Sequence, residues 1–126
     1  MKKINEYRID FVQLESGNIP FEKFLDSLNK LERSEVLSSI EEFREYLSNN
    51  QQLSPKISKP LRNGIYELKI NHLNRTTRAF YFFQIGRLII FTHGLVKKTN
   101  KTPNEEIEKA IKYKKIYESL KDENQI

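Results

Sequence analysis

The 126-residue chain contains no cysteine and no tryptophan, one methionine, four glycines and four prolines. Without cysteine there are no disulfides, thiolate metal sites or cysteine nucleophiles, a composition that suits a reducing cytosol. The glycines stand singly at Gly17, Gly64, Gly86 and Gly94. Neither GxGxxG nor GxxxxGK[ST] occurs, and enzymes built on those phosphate loops drop out. His72 and His93 fall on separate segments, and no HExxH or EF-hand spacing is present, so no metal site and no cofactor is expected. No apolar run approaches the roughly 18 residues of a membrane helix. The start, Met1-Lys2-Lys3-Ile4-Asn5-Glu6, becomes charged again too soon for a secretory signal. A soluble, unprocessed, cytoplasmic protein with no membrane partner is expected. The length suits one domain, and a hydrophobic share of 37% with eight Phe and six Tyr suffices for one core. Residues 1–126 are read as a single domain.

What the chain has in excess is positive charge, and it is unevenly placed. Residues 1–49 carry net −3, residues 50–102 net +9 and residues 103–126 net −1. A short charge run is usually a solvated face. Nine uncompensated charges over about fifty residues, with both histidines among them, point instead to an anionic partner.

The periodicity predicts an α+β fold in the order β-α-α-β-β-β-α, a mainly antiparallel sheet with helices packed against it. Tyr7, Ile9 and Phe11 alternate with polar residues within 5–14, the period of a half-buried strand. Pro20 opens a helix with Phe21, Phe24, Leu25 and Leu28 on one face. A second helix over 34–48 carries the stripe Val36, Leu37, Ile40, Phe43 and Leu47, with Glu35, Glu41, Glu42 and Glu45 away from it. The segment from Asn49 to Pro60 reads as the longest irregular connection and is expected to line a site. Residues 65–71, 78–85 and 87–95 then read as three strands of a meander, joined by 71–75 and the tight Ile85-Gly86-Arg87. Phe80, Tyr81, Phe82 and Phe83 are apolar on both parities, which predicts a central strand covered on both sides. Thr102, Pro103 and Glu105 match an N-cap, N1 and N3 set, so a final helix is expected over 103–121 with Ile107, Ala110, Ile111 and Tyr117 facing the core.

The chemistry on offer is a set of cations. Lys69 shares a strand face with Glu67, Arg78 lies on the neighbouring strand, and Lys97, Lys98 and Lys101 follow the last strand. Lys59 and Arg62 precede the meander, and Arg75 lies in its first connection. Each alone is an ordinary solvated charge; together they suit a phosphate-binding surface, with Lys59, Arg62, Arg75 and Lys101 as RNA-contacting candidates. RNA cleavage without a metal needs a base for the ribose 2′-hydroxyl, cations for the phosphorane-like transition state and an acid for the departing 5′-oxygen. Arg78 has the fork that matches phosphate oxygens, and Lys97 and Lys98 add charge. Glu67, His93 and Lys69 are alternative bases, Lys69 only with neighbouring cations lowering its pKa. Tyr66 and Tyr81 are candidates for stacking on a base, although strand aromatics are more often core. The final helix, with Lys109, Lys112, Lys114 and Lys115, is the one weak candidate for entering a DNA groove.

Three segments carry a resemblance: Gly64-Ile65-Tyr66-Glu67-Leu68-Lys69, Arg78-Ala79-Phe80-Tyr81-Phe82, and His93-Gly94-Leu95-Val96-Lys97-Lys98-Thr99-Asn100-Lys101-Thr102-Pro103. Over roughly residues 5–118 the chain resembles the RelE/HigB superfamily of bacterial and phage toxins, in particular its phage-derived HigB-like branch, although Leu95 stands where that branch usually has Phe. The resemblance implies a RelE-like α+β fold and a type II toxin-antitoxin toxin that cuts mRNA, commonly on the ribosome. It also implies a helix-turn-helix antitoxin encoded beside it. Carried over by position, the strand lysine falls on Lys69, the strand arginine on Arg78 and the basic cluster on Lys97 and Lys98. Glu67 stands where many relatives have a basic residue, and the terminal acid-base tyrosine of some relatives has no counterpart. The alternative reading is a basic module without catalysis, a degenerate toxin or phage accessory protein that binds nucleic acid or protein.

Overall fold

The computed structural model describes residues 5–73, 75–97 and 101–124. Along them run β1 (Arg8–Phe11), α1 (Pro20–Asp26), α2 (Lys30–Ser48), β2 (Ser58–Pro60), β3 (Tyr66–Asn71), β4 (Thr76–Gln84), β5 (Leu88–Lys97) and α3 (Asn104–Asn124). The strands form one sheet in the order β1-β5-β4-β3-β2. β1 lies parallel to β5, and every other neighbouring pair is antiparallel. The α+β architecture follows the periodicity, with β4 at the centre.

Both parities of β4 are apolar because both faces of the sheet are covered. On one face Ala79 and Tyr81 meet Phe21, Phe24 and Leu25 of α1 and Val36, Ile40 and Phe43 of α2. On the other, Phe80 and Phe82 meet Ala110, Ile111 and Tyr117 of α3. The two hairpins fall where the turn chemistry puts them, and Gly86 (φ 95°) and Arg87 (φ 59°) both take the left-handed conformation that tight β4–β5 connection requires.

Several boundaries differ from the sequence expectation. β2 was hidden in the 49–60 connection: three residues are too few to show an alternation, and its pairing with β3 is set by register rather than local pattern. Upstream of it, Leu53 and Ile57 line a cavity of about 200 Å³ against Phe43, Tyr46 and Leu68. α2 begins at Lys30 rather than 34, because Asn29 and Glu32 form a capping box. The Asn29 side chain accepts from the Glu32 amide at 2.8 Å, and Glu32 accepts from the Asn29 amide at 3.4 Å. Leu37 falls off the buried stripe and is 46% exposed. At α3 the Pro103 carbonyl accepts the Glu106 and Ile107 amides, so the helix starts one residue later than expected, at Asn104.

Gly94 is a packing requirement, not a turn. A Cβ there would stand 2.5 Å from Phe24 Cδ2, so α1 lies flat on β5 only because the side chain is missing. The Gly94→Ala variant is expected to lose about 1–3 kcal/mol of stability in urea unfolding, the range for overpacking a filled core. Wild-type stability in that variant would show that α1 can shift without loss.

Candidate functional site

The register places the chemistry on the α3 face of the sheet. Residues directly opposite one another on neighbouring strands project to the same side. One row runs Lys59 (β2), Glu67 (β3), Phe80 (β4); the next runs Lys69 (β3), Arg78 (β4), Leu95 (β5). Lys97 is one pair further along β5, opposite Thr76. Lys59, Glu67, Lys69 and Arg78 are thereby gathered toward one end of the sheet, where β3 and β5 finish and β4 begins. Lys98 lies outside the described residues.

At the centre is a buried carboxylate. Glu67 is 1% exposed, and its Oε2 accepts from Arg78 Nη1 at 2.9 Å, with Lys59 Nζ at 3.8 Å. Its Oε1 accepts from the Thr102 hydroxyl. Thr102, read from sequence as a helix cap, therefore ties the approach to α3 onto β3. Arg78 is itself 7% exposed, and its Nε–H is buried with no hydrogen-bond partner among the described residues. Paired, it satisfies the need of Glu67 for a counter-charge; its remaining fork still has donor capacity. Lys69, half-buried beside it, makes no ion pair among the described residues.

His93 is nearby but occupied. It is 5% exposed, stacks on Phe80 at 4.8 Å between ring centres, donates from Nε2 to Glu106 at 2.7 Å and has Nδ1 3.1 Å from the Thr92 hydroxyl. Burial pushes its pKa below the ordinary value, and Glu106 opposes that shift. His72 is likewise engaged, with Glu35 at 2.9 Å and Thr77 at 3.1 Å.

Arg62 and Arg75 are tied elsewhere. Arg75 forks onto Glu32 at the start of α2, holding that carboxyl below its usual range. Arg62 pairs with Glu108 of α3, and Lys101 is exposed ahead of that helix. Tyr81 is buried, stacked 5.3 Å from the half-buried Tyr66 and bonded to Ser58, and burial raises its pKa to about 12. Neither ring is on the Arg78 face. Apart from Glu67, the acids that answer the basic segment, Glu32, Glu35, Glu106 and Glu108, come from outside it, and nothing in the local sequence marks them as partners. Among the described residues no group of three or more metal-ligating side chains converges, and no helix is long and apolar enough to cross a membrane.

A two-sided, mostly antiparallel sheet with a cationic cluster built round one buried glutamate defines an α+β protein with a basic end. The chain belongs to the phage-derived Gp49-like protein family (DUF891), whose model matches residues 23–115, and which is a family of RelE/HigB-like toxins. No curated protein matches the sequence.

Two outcomes follow from the geometry. Glu67→Ala leaves a guanidinium buried without its counter-charge and is expected to cost about 3–5 kcal/mol in urea unfolding, whereas Glu67→Ala with Arg78→Met recovers most of it. A double variant as unstable as the single one would contradict the pairing. Because the folded pKa of His93 lies below its ordinary 6.5, the folded state binds the proton less readily than the unfolded chain. Its stability contribution is complete above pH 6.5 and declines as pH falls below that value. Unfolding measured at steps from pH 7.5 to 5 should show a flatter decline in His93→Gln than in wild type.

Proposed function

We propose that the protein is a metal-independent endoribonuclease toxin of a type II toxin-antitoxin pair, of the HigB-like kind, that cuts mRNA on the ribosome in the cytoplasm and is held in check by a helix-turn-helix antitoxin. The observation that carries this reading is Arg78: a guanidinium oriented by buried Glu67, with an unpaired N–H, in a row with Lys69 and one pair from Lys97. Family membership supports the toxin class.

In the reaction the ribose 2′-oxygen bonds to the adjacent phosphorus and the bond from phosphorus to the 5′-oxygen breaks. A 2′,3′-cyclic phosphate and a 5′-hydroxyl result. One proton leaves the 2′-hydroxyl and one reaches the departing oxygen. Arg78 holds the phosphate oxygens as negative charge accumulates, with Lys97 and Lys98 adding charge. Of the three base candidates, Glu67 is sealed behind Arg78 and Thr102, and His93 has both nitrogens engaged. We assign the 2′-hydroxyl proton to Lys69, which stands opposite Arg78 on the neighbouring strand. Glu67 is a positioning residue for Arg78. Lys59 and Lys101 extend the contact with the RNA backbone; Arg62 and Arg75, tied to Glu108 and Glu32, lie at its margins.

The rival reading, a basic binding module without catalysis, draws on the same closed pair, since half of the Arg78 fork is already neutralised. One assay separates them. Purified wild type, Arg78→Lys and Lys69→Ala are incubated in EDTA with mRNA, free and on ribosomes, and the new RNA ends are mapped. Expected are cuts by wild type, about 10²–10³-fold slower in Arg78→Lys, which keeps the charge but not the fork. Salt-sensitive RNA retention with no new ends would overturn catalysis and leave the binding module.

A further inference from the structure

β1 covers only part of β5. Their ladder ends at the Phe11–Phe91 pair, with one further bond from the Val12 amide to the Phe91 carbonyl, whereas β5 continues to Lys97. The alternation of the ladders determines what the rest of β5 presents. The Lys69 amide bonds the Ile57 carbonyl on the β2 side, so Leu68 and Ile70 turn to β4. Their partners Ala79 and Thr77 face back to β3, which leaves Arg78 and Thr76 to bond Leu95 and Lys97. Gly94 and Val96 therefore direct their N–H and C=O groups away from β4, to the side where β1 has ended. Among the described residues these groups have no backbone partner there.

This edge lies in a groove of about 400 Å³ between α1 and α3, whose lining includes Lys23, Ser27, His93, Leu95, Lys109 and Tyr113. Among the described residues two lysines line it and no carboxylate does. Glu106, on α3 beside the groove, is taken by His93 at 2.7 Å and faces Lys109 at 3.7 Å. Lys23 has no ion pair among the described residues.

We propose that the Gly94–Val96 edge is a docking site for an extended, acidic segment of a partner polypeptide, which adds to the sheet beside β5 where β1 stops. An open strand edge pairs with another backbone through alternating donors and acceptors. A phosphodiester chain carries no row of N–H donors for the Gly94 and Val96 carbonyls, so a polypeptide fits this edge better than RNA. The two lysines and the absence of carboxylates select acidic side chains. The site requires no RNA and stands independently of the nuclease reading.

The test titrates the full chain by calorimetry with an alternating valine–glutamate heptapeptide, its valine–lysine counterpart, and two copies N-methylated at odd or at even positions. Saturable binding of the glutamate peptide is expected, with the Gly94 and Val96 amides shifted and protected from exchange in NMR spectra. One N-methylated copy keeps its affinity and the other loses about tenfold or more, because only alternate peptide amides face the strand. The proposal is overturned by absence of saturable binding, by equal affinity of the two N-methylated copies, or by a lysine peptide that binds as tightly.

Discussion

The middle of β4 has no face for water, although Phe83 near its end, read with Phe80, Tyr81 and Phe82 as covered, is 38% exposed. Phe80 and Phe82 project to one side, Ala79 and Tyr81 to the other, and none is more than 2% exposed. Each large side chain among them gains about 1.5–3 kcal/mol from burial, so both faces of the sheet must be covered. The short α1 and the long α2 take one face, and α3 returns to take the other. Both ends of the chain are thereby brought onto its middle. That constraint decides the electrostatics as well, because the ends are acidic and the middle is basic.

The consequence is a redistribution of charge rather than an open basic face. Arg75 is met by Glu32 of α2, Arg62 by Glu108 of α3, and His72 and His93 by Glu35 and Glu106. At the end of the sheet where β3 and β5 finish, Lys69 makes no ion pair among the described residues and stands beside Arg78. Glu67 is the hinge of that arrangement. It draws Lys59, Arg78 and Thr102 from three other segments onto one carboxylate, so the guanidinium arrives with its orientation set and one N–H unspent. Preorganised donors of this kind are worth most where water is excluded.

The strands and helices were legible where period and length agree. The double parity of 80–83 identified the central strand, and the stripe Ile107, Ala110, Ile111, Tyr117 identified the buried face of the last helix. Legibility failed at β2, whose three residues carry no period, and at the start of α2, where the Asn29–Glu32 capping box lay ahead of the apolar stripe. Thr102 was read as the helix cap, a place the structure gives to Pro103, and its bond to Glu67 spans 35 positions. Of the candidate site, the sequence put Lys69 and Arg78 on neighbouring strands, and the register of those strands in the structure set them opposite one another. The commitment of Arg62, Arg75 and His93 to distant acids does not follow from any local spacing.

By itself, then, the sequence determined the kinds of element, their order, the double burial of the central strand and the concentration of cations in residues 50–102, because these depend on local periodicity and composition. Only the tertiary structure decided which cations remain unpaired, that Glu67 is buried against Arg78, and that β5 outruns β1 to leave Gly94 and Val96 on an open edge. Those outcomes depend on register and on contacts between segments far apart in the chain, where one residue of slip would turn every side chain to the opposite face.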